Sequence, residues 1–311
     1  MRASTLLVFF VSAWAIGCGS KQGQGPGPGS PANATSSGDD ATSVTTTHDA
    51  SSGGASAAPA AAMPKPAVGA RALEKRAVEM KFDLTLTRKG ASAGIQSGSW
   101  SISEERTEEA QAVKGNAITK LQLMFGRRDA KPLLGLEQPS LTENNTFELE
   151  AKGSSPEVTR GGKPAPDKER DAVLAEYGYV GAPGPLAKLL EGKKPGATLE
   201  PDAEGRRALI GVLPGIDENE TNVTAVLEGM HENARKQADL DVTLKGELKS
   251  GDMTFKLDLT GPAVVDLATG WVTELTLSGK VKAKGQVKHK KMKLDASGSG
   301  KMTITRSAKF L

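Results

Sequence analysis

The stretch WVTELTLSGKVKAKGQV, residues 271–287, decides the fold of this 311-residue chain. Apolar or small residues occupy every second position, and most of the intervening side chains are polar or charged. This period of two is typical of a half-buried β-strand. Seventeen residues is long for a strand, and Gly279, Ala283 and Gly285 favour strong bending. The stretch therefore predicts a long, curved strand.

The same alternation extends upstream of this strand. Residues 240–248 and 253–259 predict a hairpin joined by the turn 249–252, and residues 223–227 predict another strand. The region 71–160 predicts a first group of strands, because apolar positions alternate in four segments: Val78–Leu86, Trp100–Ile102, Leu121–Phe125 and Phe147–Leu149. Alternating rather than continuous apolar runs favour antiparallel pairing.

A helical insert separates the two strand-rich regions. Asp167–Tyr177 predicts a helix with Pro166 before it and Gly178 as its stop, and Pro185–Glu191 predicts a second, shorter helix. Asp202–Leu213 predicts a third helix, which Pro214-Gly215 would end.

These elements predict an α+β fold dominated by strands. We expect a curved, half-barrel-like antiparallel sheet over residues 71–311, with possible lobes at 71–160 and 216–311 around the insert 161–215. This layout resembles the half-barrel lipoproteins of the LolA, LolB and LppX type, which carry lipids or lipoproteins in the bacterial envelope. A pair of duplicated β lobes is the alternative, since Trp100 and Trp271 each follow a glycine near a strand start.

The beginning of the chain predicts export. Arg2 precedes an eleven-residue apolar run, Leu6–Ile16, which is too short to span a bilayer and is typical of a signal peptide. The run ends at Gly17 and at Cys18, the one cysteine of the chain. These residues resemble the lipobox of bacterial lipoproteins, which implies cleavage of residues 1–17 between Gly17 and Cys18, lipidation of Cys18 and attachment to the membrane. Because Gly19 is not aspartate, the resemblance also implies delivery to the outer membrane.

Residues 18–70 predict a disordered tether behind the lipidated cysteine. They consist almost wholly of Gly, Ser, Ala, Pro and Thr, which cannot bury enough apolar surface to offset the entropy of ordering. A flexible tether of this length would place the domain about 40 Å from the membrane on average.

Charge is strongly polarised within the region 71–311. Residues 280–311 contain nine Lys and one Arg against one Asp, whereas residues 71–279 contain 27 basic and 33 acidic residues. The predicted anionic-contact patch consists of seven lysines: Lys280, Lys282, Lys284, Lys288, Lys290, Lys291 and Lys293. Two interpretations remain open: a solvated sheet face whose lysines discourage aggregation, or a surface that contacts anionic envelope material.

Catalytic and metal motifs are weak. Gly90-Ala91-Ser92-Ala93-Gly94 matches the serine-hydrolase pattern but lies between two predicted strands, where a nucleophile elbow would need a strand-to-helix turn. Residues 217–228 loosely resemble a calcium loop, with Asn222 where glycine is required. His231 and His289 fall in polar surroundings, and the composition indicates no transition-metal site.

The sequence thus predicts a non-enzymatic, lipid-anchored envelope protein without a cofactor. In the first hypothesis, the curved sheet holds an apolar or amphiphilic, lipid-like ligand. In the alternative, the core is filled and the basic strands dock an anionic envelope partner. Nucleic acid is not an expected partner, because the lysines lack interleaved aromatic residues. A large apolar cavity under the insert would favour the first hypothesis, and a core closed around Leu244, Phe255 and Leu275 the second.

Overall fold

The computed structural model describes residues 63–134, 140–232, 234–289 and 292–311. These residues belong to one compact unit that spans Ala58–Leu311. The predicted signal peptide, the cleavage site and most of the predicted tether lie outside the described residues.

Twelve strands form one antiparallel sheet. In chain order they are β1 (Arg71–Arg88), β2 (Ala91–Lys114), β3 (Ala117–Lys131), β4 (Thr146–Lys152), β5 (Ser155–Arg160), β6 (Lys163–Pro164), β7 (Thr198–Leu199), β8 (Asn222–Glu232), β9 (Lys236–Ser250), β10 (Met253–Asp266), β11 (Val272–His289) and β12 (Met292–Phe310). The strand-dominated antiparallel fold predicted from the sequence is confirmed.

The first and last strands of the sheet in sequence meet in its middle. The spatial order is β6-β5-β4-β3-β2-β1-β12-β11-β10-β9-β8-β7, so each half is a simple meander. Pairing of β1 with β12 runs from Ala72 opposite Phe310 to Thr87 opposite Asp295. The regions 71–160 and 216–311 are therefore two halves of one sheet.

Three helices connect the two halves: α1 (Asp167–Tyr177), α2 (Pro185–Leu190) and α3 (Ala203–Ile210). The first has the predicted bounds, and the second ends one residue before the predicted Glu191. The third is shorter than the predicted Asp202–Leu213. Asp202 is its N-cap and accepts from the Gly205 amide, whereas Gly211, with φ of 79°, ends it.

One face of the sheet is buried and the other is exposed. Along the second half of β1, Val78, Met80, Phe82, Leu84 and Leu86 are buried while the intervening residues are mostly exposed. These inward side chains join a large apolar cluster with residues of β8–β12, α2 and α3. A smaller apolar cluster lies beneath α1, around β3–β5.

The sheet is strongly curved where its small residues lie. Phe82 on β1 and Phe255 on β10 are in edge-to-face contact, although β11 and β12 lie between these strands. At Gly298 and Gly300 on β12, an added Cβ would lie 1.8 and 2.1 Å from the backbone oxygens of Asp83 and Lys81. Gly279 and Gly285 of β11, where bending is predicted, are packed as closely, because an added Cβ would lie 2.0 and 2.1 Å from the backbone oxygens of Asp258 and Asp252. A larger residue would not fit at these positions.

Candidate functional site: a basic outer face and a buried ion-pair cluster

Lysines of three neighbouring strands lie directly opposite one another on the exposed face of the sheet. Lys301 on β12 pairs in register with Lys81 on β1, on one side, and with Lys280 on β11, on the other. All three side chains are exposed. Like charges directly opposite each other in a sheet are destabilising. This row therefore concentrates positive charge at a cost in folding energy.

The adjoining row broadens the positive surface. Lys282 lies opposite Ser299 on β12 and Lys256 on β10, and Lys284 lies opposite Ser297. On the far side of β1, Lys131 donates to the Ser99 hydroxyl. We call the exposed surface formed by seven lysines the basic face: Lys81, Lys131, Lys256, Lys280, Lys282, Lys284 and Lys301.

Two open depressions indent the basic face. One, of about 790 Å³, is lined by Lys81, Lys131, Lys301 and the serines of β2 and β12. The other, of about 780 Å³, is lined by Lys256, Lys282 and Lys284. Ser299 lines both, so the depressions adjoin. Ammonium groups and hydroxyls around a shallow surface suit the oxygens of phosphate or carboxylate groups.

Most lysines of this face form no close ion pair. Within the described part of the chain, no carboxylate lies within 4.0 Å of five of the lysines: Lys81, Lys280, Lys282, Lys284 and Lys301. Lys256 is paired with Glu247 at 3.0 Å. Two exposed acidic residues also lie on this face: Asp258 on β10 is opposite Lys280, and Asp83 accepts from the Ser97 hydroxyl.

The predicted patch and the basic face overlap only in part. Lys280, Lys282, Lys284 and Lys288 are exposed along β11 as predicted. Lys293, at the start of β12, is paired with Asp252 at 3.2 Å and lies beyond the basic face. Four of the predicted site residues lie outside the described residues: Gly17, Cys18, Lys290 and Lys291.

Sequence reasoning missed the contributions of neighbouring strands to the basic face. Lys81 and Lys256 alternate with buried residues in strands that were predicted, so their outward direction was available from the sequence. Their proximity to Lys280 was not, because register and strand order are long-range properties.

A cluster of buried ion pairs occupies the opposite, inward face of the same strands. Along β1 the inward positions Glu74 and Arg76 separate Ala72 of the smaller apolar cluster from Val78 of the larger one. We call seven residues the buried ion-pair cluster: Glu74, Arg76, Glu104, Arg106, Glu108, Glu176 and Arg306. Five of them are buried, and the side chains of Glu176 and Glu104 are 10% and 18% exposed.

The carboxylates of this cluster join three strands and one helix. Glu74 accepts from Arg106 Nε at 2.6 Å and from Arg306 Nε at 2.7 Å, one bond on each oxygen. Glu176 on α1 accepts two bonds from Arg106, at 2.9 and 3.0 Å. Glu176 also accepts from Arg76 Nη2 at 2.8 Å. The cluster therefore fixes α1 over the junction of the two half-sheets.

The third helix is held by the same arginines. Arg306 Nη1 donates to the carbonyls of Ala208 and Leu209, at 2.6 and 3.0 Å, in the last turn of α3. A cation at this end complements the helix dipole. Gly211 lies against Arg76, and a Cβ there would come 1.5 Å from Arg76 Nη2. Glycine is therefore required at this position for two reasons: it can adopt the positive φ, and it leaves room for the charged Arg76 side chain.

Two glutamates of the cluster titrate in opposite directions. Burial alone would raise the pKa of Glu176, but the attraction of Arg106 and Arg76 outweighs it and lowers the pKa to about 2. Burial raises the pKa of Glu108 to about 7, because Arg106 and the Tyr177 hydroxyl bond compensate only in part. Glu108 therefore changes charge near neutral pH while Glu176 stays ionised.

The interior of the curved sheet is filled by side chains at the residues on which the two hypotheses depend. Leu244, Phe255 and Leu275 are each at most 2% exposed and belong to the same apolar cluster. A cavity beside the buried ion-pair cluster, lined by Glu108, Tyr179 and Trp271, has a volume of about 20 Å³. That volume is enough for one water molecule.

The weak motifs of the sequence have ordinary structural surroundings. Ser92 is exposed in β2, next to the β1–β2 turn. In the calcium-like loop, Asp217 is paired with Lys249 and Glu218 with Arg207. His231 contacts Gln237 and Asp239 at the sheet edge. Among the described residues no group of three or more His, Cys, Asp or Glu side chains is placed to hold a metal ion.

Comparison with known proteins gives little similarity. No protein-family model and no curated protein matches the chain. A solved structure to which it has some likeness is an acetoacetate decarboxylase-like enzyme from Sphingomonas wittichii RW1, at 9% identity over 79% of this chain and 94% of that chain. The TM-score is 0.11, too low to support any inference about fold or activity. In the described part of the chain, no helix is long and apolar enough to cross a membrane.

Proposed function

We propose that this chain is a non-enzymatic lipoprotein of the bacterial envelope, anchored through a lipid on Cys18, that docks an anionic surface through its basic face. The observation that carries the docking proposal is the row Lys81–Lys301–Lys280 on adjacent strands. Three like charges held in register repel one another, which favours a role in binding over a role in stability.

The filled interior supports docking over transport of a large ligand. A carrier of whole lipids would need a large apolar cavity beneath the helices, whereas Leu244, Phe255 and Leu275 pack into one cluster there. The open depressions on the basic face are instead shallow and rich in lysine and serine. Phosphate-bearing lipid headgroups are the anionic surface nearest to a membrane-anchored domain, and we take them as the partner.

The tether and the basic face would act together. A lipid on Cys18 would hold the domain at the membrane, and a flexible segment of about fifty residues would let the lysines reach anionic groups about 40 Å away. The second contact becomes intramolecular once the anchor is inserted, which raises the effective concentration of the weak electrostatic site.

Vesicle binding tests the docking surface. The triple variant Lys81→Gln, Lys280→Gln, Lys301→Gln is compared with Lys188→Gln, Lys193→Gln, Lys194→Gln, which removes the same charge from exposed lysines around α2. Both are made in the chain that begins at Gly19, so that neither an attached lipid nor the apolar run Leu6–Ile16 contributes. At about 1 kcal/mol per lysine, the first should bind phosphatidylglycerol vesicles about a hundredfold more weakly at low salt. Equal losses of vesicle affinity in the two triple variants would reject the basic face as the docking site.

Membrane attachment is tested separately by Cys18→Ser alone. We expect the variant to escape processing before residue 18 and to carry no lipid, as measured by mass spectrometry of the protein from cell envelopes. Normal processing and an unchanged mass would contradict the lipoprotein assignment without bearing on the basic face.

A further inference from the structure

A second concave site lies at the rim of the helical insert, on the inward side of β1–β3. This cleft has a volume of about 290 Å³ and is bounded by the sheet, by α1, by the segment after α3 and by residues 140–142. Its apolar lining includes Val78, Ile102, Phe125, Leu141, Val212 and Pro214. Leu141 and Val212 are 44% and 39% exposed, so the cleft has an apolar mouth. The volume is at the lower end of the range for small-molecule sites.

Two arginines that carry unsatisfied hydrogen-bond donors line this cleft. Arg76 and Arg128 both line it, and the Nε atom of each is buried without a hydrogen-bond partner among the described residues. Arg76 as a whole is only 7% exposed. An unpaired donor of a buried guanidinium is costly, and a ligand acceptor would satisfy it.

The acidic residues of the cleft are already engaged. Glu176 accepts bonds from Arg76 and Arg106 on both of its oxygens, and Glu104 accepts from Arg76 Nη1 at 3.0 Å. The guanidinium of Arg128 has no carboxylate within 4.0 Å in the described part of the chain. The unpaired N–H groups of the two arginines can therefore donate to a ligand. An anionic acceptor would form the strongest of these hydrogen bonds.

We propose that this cleft binds a small amphiphile with one anionic head group, placed at Arg128 and Arg76, and an apolar body placed among Ile102, Phe125 and Val212. The site is distinct from the basic face, which lies on the opposite side of the sheet and offers lysines rather than apolar walls. A carboxylate and a phosphate share the required chemistry, because an arginine fork can donate to either.

Calorimetric titration of the full chain carrying Cys18→Ser tests this site with three ligands. Octanoate and octyl phosphate are used below their critical micelle concentrations, and octanol is used below its solubility limit. We expect both anions to bind and octanol to bind at least tenfold more weakly, since a hydrogen bond to a charged group contributes more than 1.4 kcal/mol. Whichever anion binds more tightly identifies the head group. Absence of binding by both anions, or equal affinity for octanol, would overturn the proposal.

Three variants locate the site. Arg128→Gln should weaken anion binding at least tenfold, whereas Arg127→Gln, at an adjacent residue whose side chain is 79% exposed, should leave it unchanged. Val212→Trp should fill the cleft and abolish binding while leaving Arg76 and its ion pairs intact. Urea unfolding of each variant separates lost binding from lost folding. A folded Arg128→Gln protein with unaltered affinity would overturn the proposal, and so would tight binding by a folded Val212→Trp protein.

Discussion

The ring of Phe82 contacts the ring of Phe255 with centroids 5.4 Å apart and ring planes inclined at 62°. In a flat sheet their strands would be about 14 Å apart, because two strands lie between them. The Phe82 ring also leans away from β10, over Gly98, where an added Cβ would come 2.4 Å from it. The contact therefore requires the sheet to curl until β10 faces β1 and β2.

Gly300→Val should flatten or destabilise this curl. A Cβ at Gly300 would lie 2.1 Å from the Lys81 carbonyl oxygen and 2.8 Å from Phe82 Cα, and backbone atoms cannot move aside cheaply. We expect a loss of about 2 kcal/mol or more in the free energy of unfolding, measured by urea denaturation. Ser297→Val, at an exposed position of the same strand, should change stability by less than about 0.5 kcal/mol. Similar effects of the two substitutions would show that Gly300 does not set the curvature.

Phe255→Ala tests the filled interior. The side chain is fully buried, and its removal should leave a cavity and cost about 3–5 kcal/mol in unfolding free energy. Ile95→Ala, at a residue that is 76% exposed, is the matched control and should be nearly neutral. A loss below about 1 kcal/mol at Phe255 would mean that the interior is looser than the contact with Phe82 indicates.

Glu176→Gln should destabilise the fold by about 3 kcal/mol, because it removes one of the carboxylates that neutralise the buried side chains of Arg76 and Arg106. The low pKa of Glu176 means that its contribution is present above pH 4.5 and is lost as the pH falls towards 2. Urea midpoints measured from pH 7 to pH 3 should show a weaker acid dependence in the variant than in the parent chain. Asp171→Asn, at an exposed residue of the same helix, serves as the control. Equal losses of unfolding free energy in Glu176→Gln and Asp171→Asn would argue against a special role for Glu176.

Glu108→Gln should have the opposite dependence on pH. Burial favours the neutral form of Glu108 and raises its pKa to about 7, so the unfolded chain loses this proton at lower pH than the folded chain does. The stabilisation that the protonated Glu108 carboxyl contributes is fully present below pH 4.5. It declines as the pH rises to 7, by about 3 kcal/mol at most. The neutral amide should remove this decline and make the variant the more stable protein at pH 8. A parallel pH profile for the two proteins would place the titration elsewhere.

Lys301→Gln should stabilise the sheet at low salt by a few tenths of a kcal/mol, because it relieves the repulsion from Lys81 and Lys280. Added salt screens exposed charges, so the gain should shrink between 10 mM and 1 M sodium chloride. Lys188→Gln, at an exposed lysine of α2, should show little change at either concentration. Thermal unfolding at the two salt concentrations provides the measurement. A gain that does not depend on salt would indicate that repulsion within the row is not its cause.

Local pattern was sufficient to predict most elements of the fold. The alternation around Val78–Leu86 and along residues 271–287 identified strands, and Pro166 with Gly178 bounded α1, because these signals depend on neighbours in the chain. The predicted end of the third helix at Leu213 was wrong because Gly211 adopts a positive φ beside Arg76, a contact with a distant strand.

The two sites likewise differ in how much of each could be predicted from the sequence. The outward direction of Lys280, Lys282 and Lys284 follows from alternation within one strand. The buried ion-pair cluster was not predicted, since charged residues such as Arg76 and Arg106 are ordinarily exposed and nothing local distinguishes them. Their burial depends on partners about 30 and 100 residues away, as the bonds of Arg76 to Glu104 and Glu176 show.

By itself, then, the sequence determined where most of the long strands and the helices form, which faces of those strands are apolar, and that one end of the domain is rich in lysine. The central strand β12 was not among the strands that it located. Only the tertiary structure decided that β1 pairs with β12, that Lys81 and Lys301 join Lys280, and that Phe82 meets Phe255 across the curved sheet. The physical reason is that alternation and capping are energies of adjacent residues, whereas register, curvature and ion pairing are energies of residues brought together by the whole chain.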